Sequence, residues 1–194
     1  MRQAGFVLVG GRSSRMSRDK ALLDYGGKTL AQHVAAEVLL AAGSVTLVGA
    51  PERYSHLGFP VIADEFPETG PLGGIVTALG SSTAEWNLVL ACDMPGVRAE
   101  LLSRLLDHAA ASGADCVVPL SPSGRPEPLC AVYRRTCNAL FRTALASGVR
   151  RIASALENVR PEHIGFDAGG WFENVNTPAD WHAHLTHCTG HTDG

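Results

Sequence analysis

An alternation in the chain constrains the fold more than any other feature. Short apolar runs of strand length at 5–9, 45–48, 60–63, 86–91 and 114–119 are separated by longer stretches whose apolar residues recur at helical spacing. In residues 29–42, Leu30, Val34, Val38 and Ala41 or Ala42 share one face, and Gly43 supplies a C-terminal stop. Residues 99–112 repeat the pattern with Leu101, Leu102, Leu105 and Leu106, and 74–79 begins or lies within another helix. The run Trp86-Asn87-Leu88-Val89-Leu90-Ala91 is nearly continuous in hydrophobicity, as a strand covered on both faces must be. Strands and helices alternating in this way predict an α/β three-layer sandwich with a mostly parallel, Rossmann-like central sheet.

The second half is less regular. It reads as a strand at 129–133, a helix at 136–147, a short helix at 152–157, a strand at 163–167 and a last helix from Pro178, with Asn176-Thr177-Pro178 as a cap followed by proline in the first turn. A chain of 194 residues suits one core, so 1–185 is expected to form a single domain and the polar stretch 186–194 a frayed tail. A formal net charge of -3 gives no general attraction to nucleic acid or to an anionic membrane, so a polyanionic ligand needs a local basic site. No segment approaches the roughly twenty apolar residues of a membrane span. The N-terminus lacks the pattern of a signal peptide, and the expected location is the cytoplasm. The five cysteines include no CxxC pair, which argues against a disulfide framework or a zinc knuckle, and Cys116 and Cys130 sit in apolar runs as core residues would.

Ligands of open α/β sheets bind outside the carboxyl ends of the strands. After the first strand comes LVGGRSSRMSRDK, from Leu8 to Lys20. Gly10 and Gly11 let backbone N–H groups approach a ligand and form an anion-binding concavity. Arg15 adds a planar fork for phosphate oxygens and Lys20 a point charge. The bland alternative is a solvated glycine turn before a charged helix start. Neither standard phosphate loop fits. GxGxxG is absent, and Gly27-Lys28-Thr29 has the end of a P-loop but Leu22 where its first glycine should stand, so Gly26-Gly27 reads as a turn. Asp93 in LVLACDMP follows a buried strand and could hold a hard cation such as Mg²⁺, or cap a following helix. His182, His184, His187, Cys188 and His191 match no standard zinc spacing.

The string GGxSxRMxxDK, with the doubled glycine of LVGGRSSRM, resembles the signature of nucleotidyltransferases, and within them the molybdenum cofactor guanylyltransferases. GPLGG (70–74), CDMP (92–95) and NVNTPAD (174–180) follow in the family's order, so the resemblance spans 8–180. It implies transfer of GMP from GTP to the terminal phosphate of molybdenum-loaded molybdopterin, releasing pyrophosphate, with Mg²⁺ on Asp93. By the resemblance Arg15, Lys20 and Asp93 are catalytic, and Leu8, Val9, Gly10, Gly11, Lys20, Asp64, Gly73 and Asp93 bind the nucleotide. Arg125 of SGRPEPLCAVY, with Asn174 and Asn176, would meet the acceptor, though Asn176 could instead cap a helix and Arg125 be merely solvated. Partners implied are GTP, molybdopterin, and transiently the proteins that deliver molybdopterin or receive the product; nucleic acid and membrane are not expected. One position departs from the pattern. The family often carries asparagine after the second strand, where this chain has Gly49, so any such nucleotide contact falls to backbone groups or to a neighbour such as Arg53. Arg12 and Arg18 occupy variable positions, and Asp19 is expected to hold the loop rather than touch substrate. Rivals on the same fold are a molybdopterin cytidylyltransferase and a sugar- or cyclitol-phosphate nucleotidyltransferase; a rival of another class is a chaperone that binds nucleotide or cofactor without turnover.

Overall fold

The computed structural model describes residues 2–10, 19–166, 170–177 and 180–181. Gly11, Arg12, Arg15 and Arg18 of the first loop, the histidine-rich stretch 182–191, the tail 186–194 and most of the helix expected from Pro178 lie outside the described residues.

Strand β1 (Gln3–Leu8) is followed by a hairpin of two short strands, β2 (Asp24–Tyr25) and β3 (Lys28–Thr29), then helix α1 (Leu30–Ala42). Gly26 and Gly27, both at positive φ (62° and 87°), form the hairpin turn, and Asp24 accepts from the Gly27 N–H at 3.2 Å. Helix α1 starts where Thr29 caps it in a reciprocal box with Gln32, and it stops at Gly43 in the left-handed conformation. Next come β4 (Thr46–Val48), a one-turn helix α2 (Pro51–Tyr54), β5 (Val61–Ile62), α3 (Pro71–Ser81), β6 (Trp86–Ala91) and α4 (Ala99–Ala111). The remainder is β7 (Cys116–Leu120), β8 (Cys130–Arg134), α5 (Cys137–Ala146), α6 (Ile152–Leu156) and β9 (Pro161–Gly165).

Seven of these strands form the central sheet, in the order β5-β4-β1-β6-β8-β7-β9. All pairings are parallel except those of β8, which runs antiparallel between β6 and β7. The expected three-layer α/β architecture is therefore present. The last described strand begins at Pro161 rather than 163, in register with Cys116 of β7. The sheet buries both faces because side chains alternate along each strand. Val7, Leu47, Leu88, Leu90 and Val132 pack on one face with α1 and α4, whereas Phe6, Val48, Val89, Ala131 and Tyr133 pack on the other with α3, α5 and α6. Cys92, Cys116, Cys130 and Cys137 are buried free thiols. No helix among the described residues is long and apolar enough to cross a membrane.

This arrangement leaves the carboxyl ends of β4, β1 and β6 side by side. The ladder continues past the strands themselves. Val9 N–H donates to Val48 at 2.9 Å, Gly49 N–H to Ile62 at 2.9 Å and Cys92 N–H to Leu8 at 3.2 Å. The floor of whatever binds there is thus fixed backbone.

Candidate active site

Above that floor lies a cleft of about 1120 Å³, large enough for a nucleotide with a second substrate beside it. Leu8, Val9 and Gly10 line it from β1, Lys20 from the turn that follows, Asp93 from β6 and Asp64 from β5. The structure therefore brings six of the expected nucleotide-site residues together.

Gly10 is at φ +98°, and a Cβ there would also press on the Tyr54 hydroxyl at 3.3 Å. Glycine is required at this position for backbone reasons before any ligand is considered. Asp19 fastens the far end of the first loop. Its carboxylate accepts from the Ala21 N–H at 3.1 Å, from Arg53 Nη2 at 2.5 Å and from the Tyr54 hydroxyl at 2.8 Å. Asp19 thus ties the loop after β1 to the helix after β4, which is the holding role expected of it. Tyr54 is fully buried, and burial together with the Asp19 carboxylate pushes its phenol pKa up, so it stays a donor.

Lys20 follows directly. Its Nζ donates to Asn176 Oδ1 at 2.8 Å, which joins the first loop to the chain's last described segment. Of the two roles open to Asn176, contact within the site and capping, its described side-chain bond is the one to Lys20. Thr177 performs the capping: its hydroxyl accepts from the Asp180 N–H at 3.1 Å, and the Asp180 carboxylate accepts from the N–H groups of Thr177 (2.8 Å) and Asn176 (2.9 Å). The Asn176 side chain is left for Lys20. Next to it, the Val175 N–H donates to the Asp93 carbonyl at 2.9 Å, drawing this segment against the end of β6.

Asp93 Oδ1 and Asn174 Oδ1 are both buried without a hydrogen-bond partner among the described residues. Burial pushes the Asp93 carboxyl pKa up, while the nearby Lys20 ammonium pulls it down. Two buried oxygen acceptors lacking donors are the chemistry that a hard divalent cation satisfies. No group of three or more His, Cys, Asp or Glu side chains suited to a metal occurs among the described residues. A cation at Asp93 would therefore share its coordination with substrate oxygens and water. Cys92 beside it is no nucleophile, since burial raises its thiol pKa to about 12.

Other expected contacts lie further out. Asp64 Oδ1 accepts from the Thr77 hydroxyl at 3.0 Å and the Phe66 N–H at 2.9 Å, so one of its oxygens organises the β5–α3 loop. Gly73 sits under that loop. A Cβ would lie 2.2 Å from Thr69 Oγ1 and 2.8 Å from the Phe66 carbonyl, and it is Gly70, Pro71 and Gly74 that face the cleft. Arg125, in the β7–β8 connection, pairs with the buried Glu127 at 3.0 Å and does not line the cleft. Local sequence reading missed Tyr54, whose signal was available: Pro51 and Glu52 after a strand end mark the first turn of a helix.

Residues 5–159 match the family of the MobA-like NTP transferase domain. The chain belongs to that family. Probable molybdenum cofactor guanylyltransferases are similar along most of their length. The one from Carboxydothermus hydrogenoformans is 33% identical over 182 residues, covering 90% of this chain and 91% of that protein. The one from a Nostoc species is 34% identical over 178 residues, covering 90% and 86%. The crystal structure of molybdopterin-guanine dinucleotide biosynthesis protein A from Archaeoglobus fulgidus superposes with a TM-score of 0.83 at 27% identity, over 96% of this chain and 99% of that one. As a member of the MobA-like family this chain is a nucleotidyltransferase. The cleft lies at the carboxyl ends of β4, β1 and β6, the position at which open α/β sheets in general bind ligands.

Proposed function

We propose that this chain transfers the GMP moiety of GTP to the terminal phosphate of molybdenum-loaded molybdopterin. The carrying observation is the pairing, at one end of the cleft, of a fixed ammonium (Lys20 on Asn176) with a buried carboxylate oxygen on Asp93 that lacks a donor. The similarity to probable guanylyltransferases supports the choice of nucleotide and acceptor.

In the transfer, an oxygen of the molybdopterin phosphate forms a bond to the α-phosphorus of GTP. The bond from that phosphorus to the bridging oxygen breaks, and its electron pair leaves with pyrophosphate. The nucleophile is already an anion near neutral pH, so the protein has no proton to remove. What it must offset is repulsion between anions, and positioned charge supplies most of the barrier reduction. Lys20 neutralises the departing pyrophosphate together with Arg15. Leu8, Val9, Gly10 and Gly11 offer backbone groups to the nucleotide, with Asp64 and the glycine turn around Gly73 closing its far side. Asp93 would hold Mg²⁺, which would supply Lewis-acid neutralisation of phosphate oxygens, and Asn174 would meet the acceptor. Asn176 orients Lys20, while Arg125, held by Glu127 outside the cleft, takes no part in this arrangement.

Pyrophosphate release from each nucleoside triphosphate, with Mg²⁺ and molybdenum-loaded molybdopterin, tests this reading. GTP is expected to support it and Lys20→Ala to lose most of it while remaining folded. Release with CTP and not GTP would overturn the guanylyl assignment; release with a sugar phosphate and not molybdopterin would overturn the acceptor.

A further inference from the structure

The cleft has two unlike ends. Lys20 and Asp93 stand at the β6 end, whereas Arg53 stands on the opposite wall, in the turn of helix that follows β4. Strands β4 and β6 flank β1 on either side, and with neighbouring strands about 4.8 Å apart their ends are separated by about 10 Å. That is the reach from an α-phosphate across a ribose to a base.

The β4 wall is poorly suited to phosphates. Glu52 lines it beside Arg53, Glu68 lines the cleft from the β5–α3 connection, and Asp19 offsets the Arg53 charge. No side chain can rise from the strand end itself, because a Cβ on Gly49 would lie 2.3 Å from the Val9 carbonyl oxygen. Ala50 and Pro51 offer no side-chain donor. Arg53 is the first cationic donor on that wall, and it is held. Nη2 is engaged by Asp19, the guanidinium lies over the Tyr54 ring at 5.6 Å, and Tyr54 is itself buried and bonded to Asp19. About half of the Arg53 side chain remains exposed, and Nε and Nη1 bond to no described residue.

Nη2 carries two hydrogens, so a guanidinium held by Asp19 through one of them still presents its Nη1/Nη2 edge as two fixed, parallel donors to a base. Guanine offers two acceptors, O6 and N7, at the spacing an arginine fork fits, whereas adenine places an amino donor where O6 stands. We propose that Arg53 reads guanine at O6 and N7, held in register by Asp19 and Tyr54. This assignment rests on the guanylyl reading above and gives it a specificity residue.

The test pairs a substitution with an analogue. 7-Deaza-GTP lacks the N7 acceptor and is otherwise GTP. Dissociation constants of GTP, 7-deaza-GTP and CTP are measured on the full chain, on Arg53→Ala and on Arg53→Lys, with melting curves confirming that the variants fold. The unsubstituted chain is expected to bind 7-deaza-GTP several-fold more weakly than GTP, one hydrogen bond's share of the roughly 5- to 150-fold that a complete bidentate pair contributes to base discrimination. Arg53→Ala is expected to bind both guanine nucleotides equally and weakly, and Arg53→Lys to recover part of the difference. If the unsubstituted chain does not discriminate, or if Arg53→Ala discriminates as well as it does, Arg53 is not the reader although GTP remains the substrate. If the unsubstituted chain binds CTP and not GTP, the guanylyl reading falls and the assignment with it.

Discussion

Gly49→Ala adds one methyl group, and its cost can be worked from the geometry. The new Cβ would lie 2.3 Å from the Val9 carbonyl oxygen, 2.8 Å from Val9 Cγ2 and 3.0 Å from Tyr54 Cε2. Ordinary contact requires the carbonyl to retreat by about 1 Å, and overpacking of this kind costs about 1–3 kcal/mol. The retreat also strains two ladder bonds at 2.9 Å, Val9 to Val48 and Gly49 to Ile62, each worth about 1 kcal/mol. The expected loss is about 2–4 kcal/mol, a fall in Tm of about 5–15 °C for a chain of this length. Gly113→Ala is the matched control. A Cβ there meets nothing within 4 Å and the backbone is not at positive φ, so the same chemical change should raise stability by about 0.4–1 kcal/mol. Urea titration of both variants, with m-values compared to exclude a change in the unfolded state, decides the matter. A Gly49→Ala protein as stable as the unsubstituted chain would refute the reasoning. It would mean that the β1 and β4 ends move apart freely, and the cleft floor would lose its claim to be fixed.

Asp93→Asn should abolish most transfer yet raise stability in chelator at neutral pH, because burial disfavours the ionised carboxylate and nothing among the described residues donates to its Oδ1. Adding Mg²⁺ and GTP should then raise the Tm of the unsubstituted chain more than that of the variant, and equal shifts would argue against a cation at this position. On the far edge of the sheet, the Arg160 guanidinium and N–H hold the Asp115 carboxyl pKa below its ordinary value. Its contribution is fully present above the unfolded pKa and lost as pH falls through the folded one. Asp115→Asn should therefore lower stability slightly near neutral pH, the Arg160 side of the pair being exposed and screened, and converge with the unsubstituted chain at low pH, which flattens the acid limb of a stability-versus-pH curve.

What local reading recovers and what it misses have separable causes. Helix α1 was legible because Thr29, Gln32 and Gly43 mark its ends in the chain itself. Strand β6 was legible because burial on both faces leaves no polar alternation. The direction of β8 is not written in its own residues, since a strand has the same period both ways. It follows from the connection: residues 121–129 are too few for the crossover that a parallel neighbour of β7 needs. The site divides in the same manner. Asp93 stands out because it follows an apolar run and carries charge where a strand ends, and Lys20 because it closes the glycine-led polar loop after the first strand. Their partners do not, because Lys20 meets Asn176 across 156 residues and Asp93 meets Val175 through a backbone bond. These contacts exist because the sheet order sets β1 beside β6, so that one segment near the end of the chain can reach both. Gly49 is the instructive case. In the chain it reads as a missing side chain, whereas in the fold it is the one residue that allows Val9, Tyr54 and the end of β4 to occupy the same few ångströms. The gap in the motif is thus a packing requirement, and it leaves Arg53, in the next element along, as the cationic side chain nearest the end of β4 in sequence.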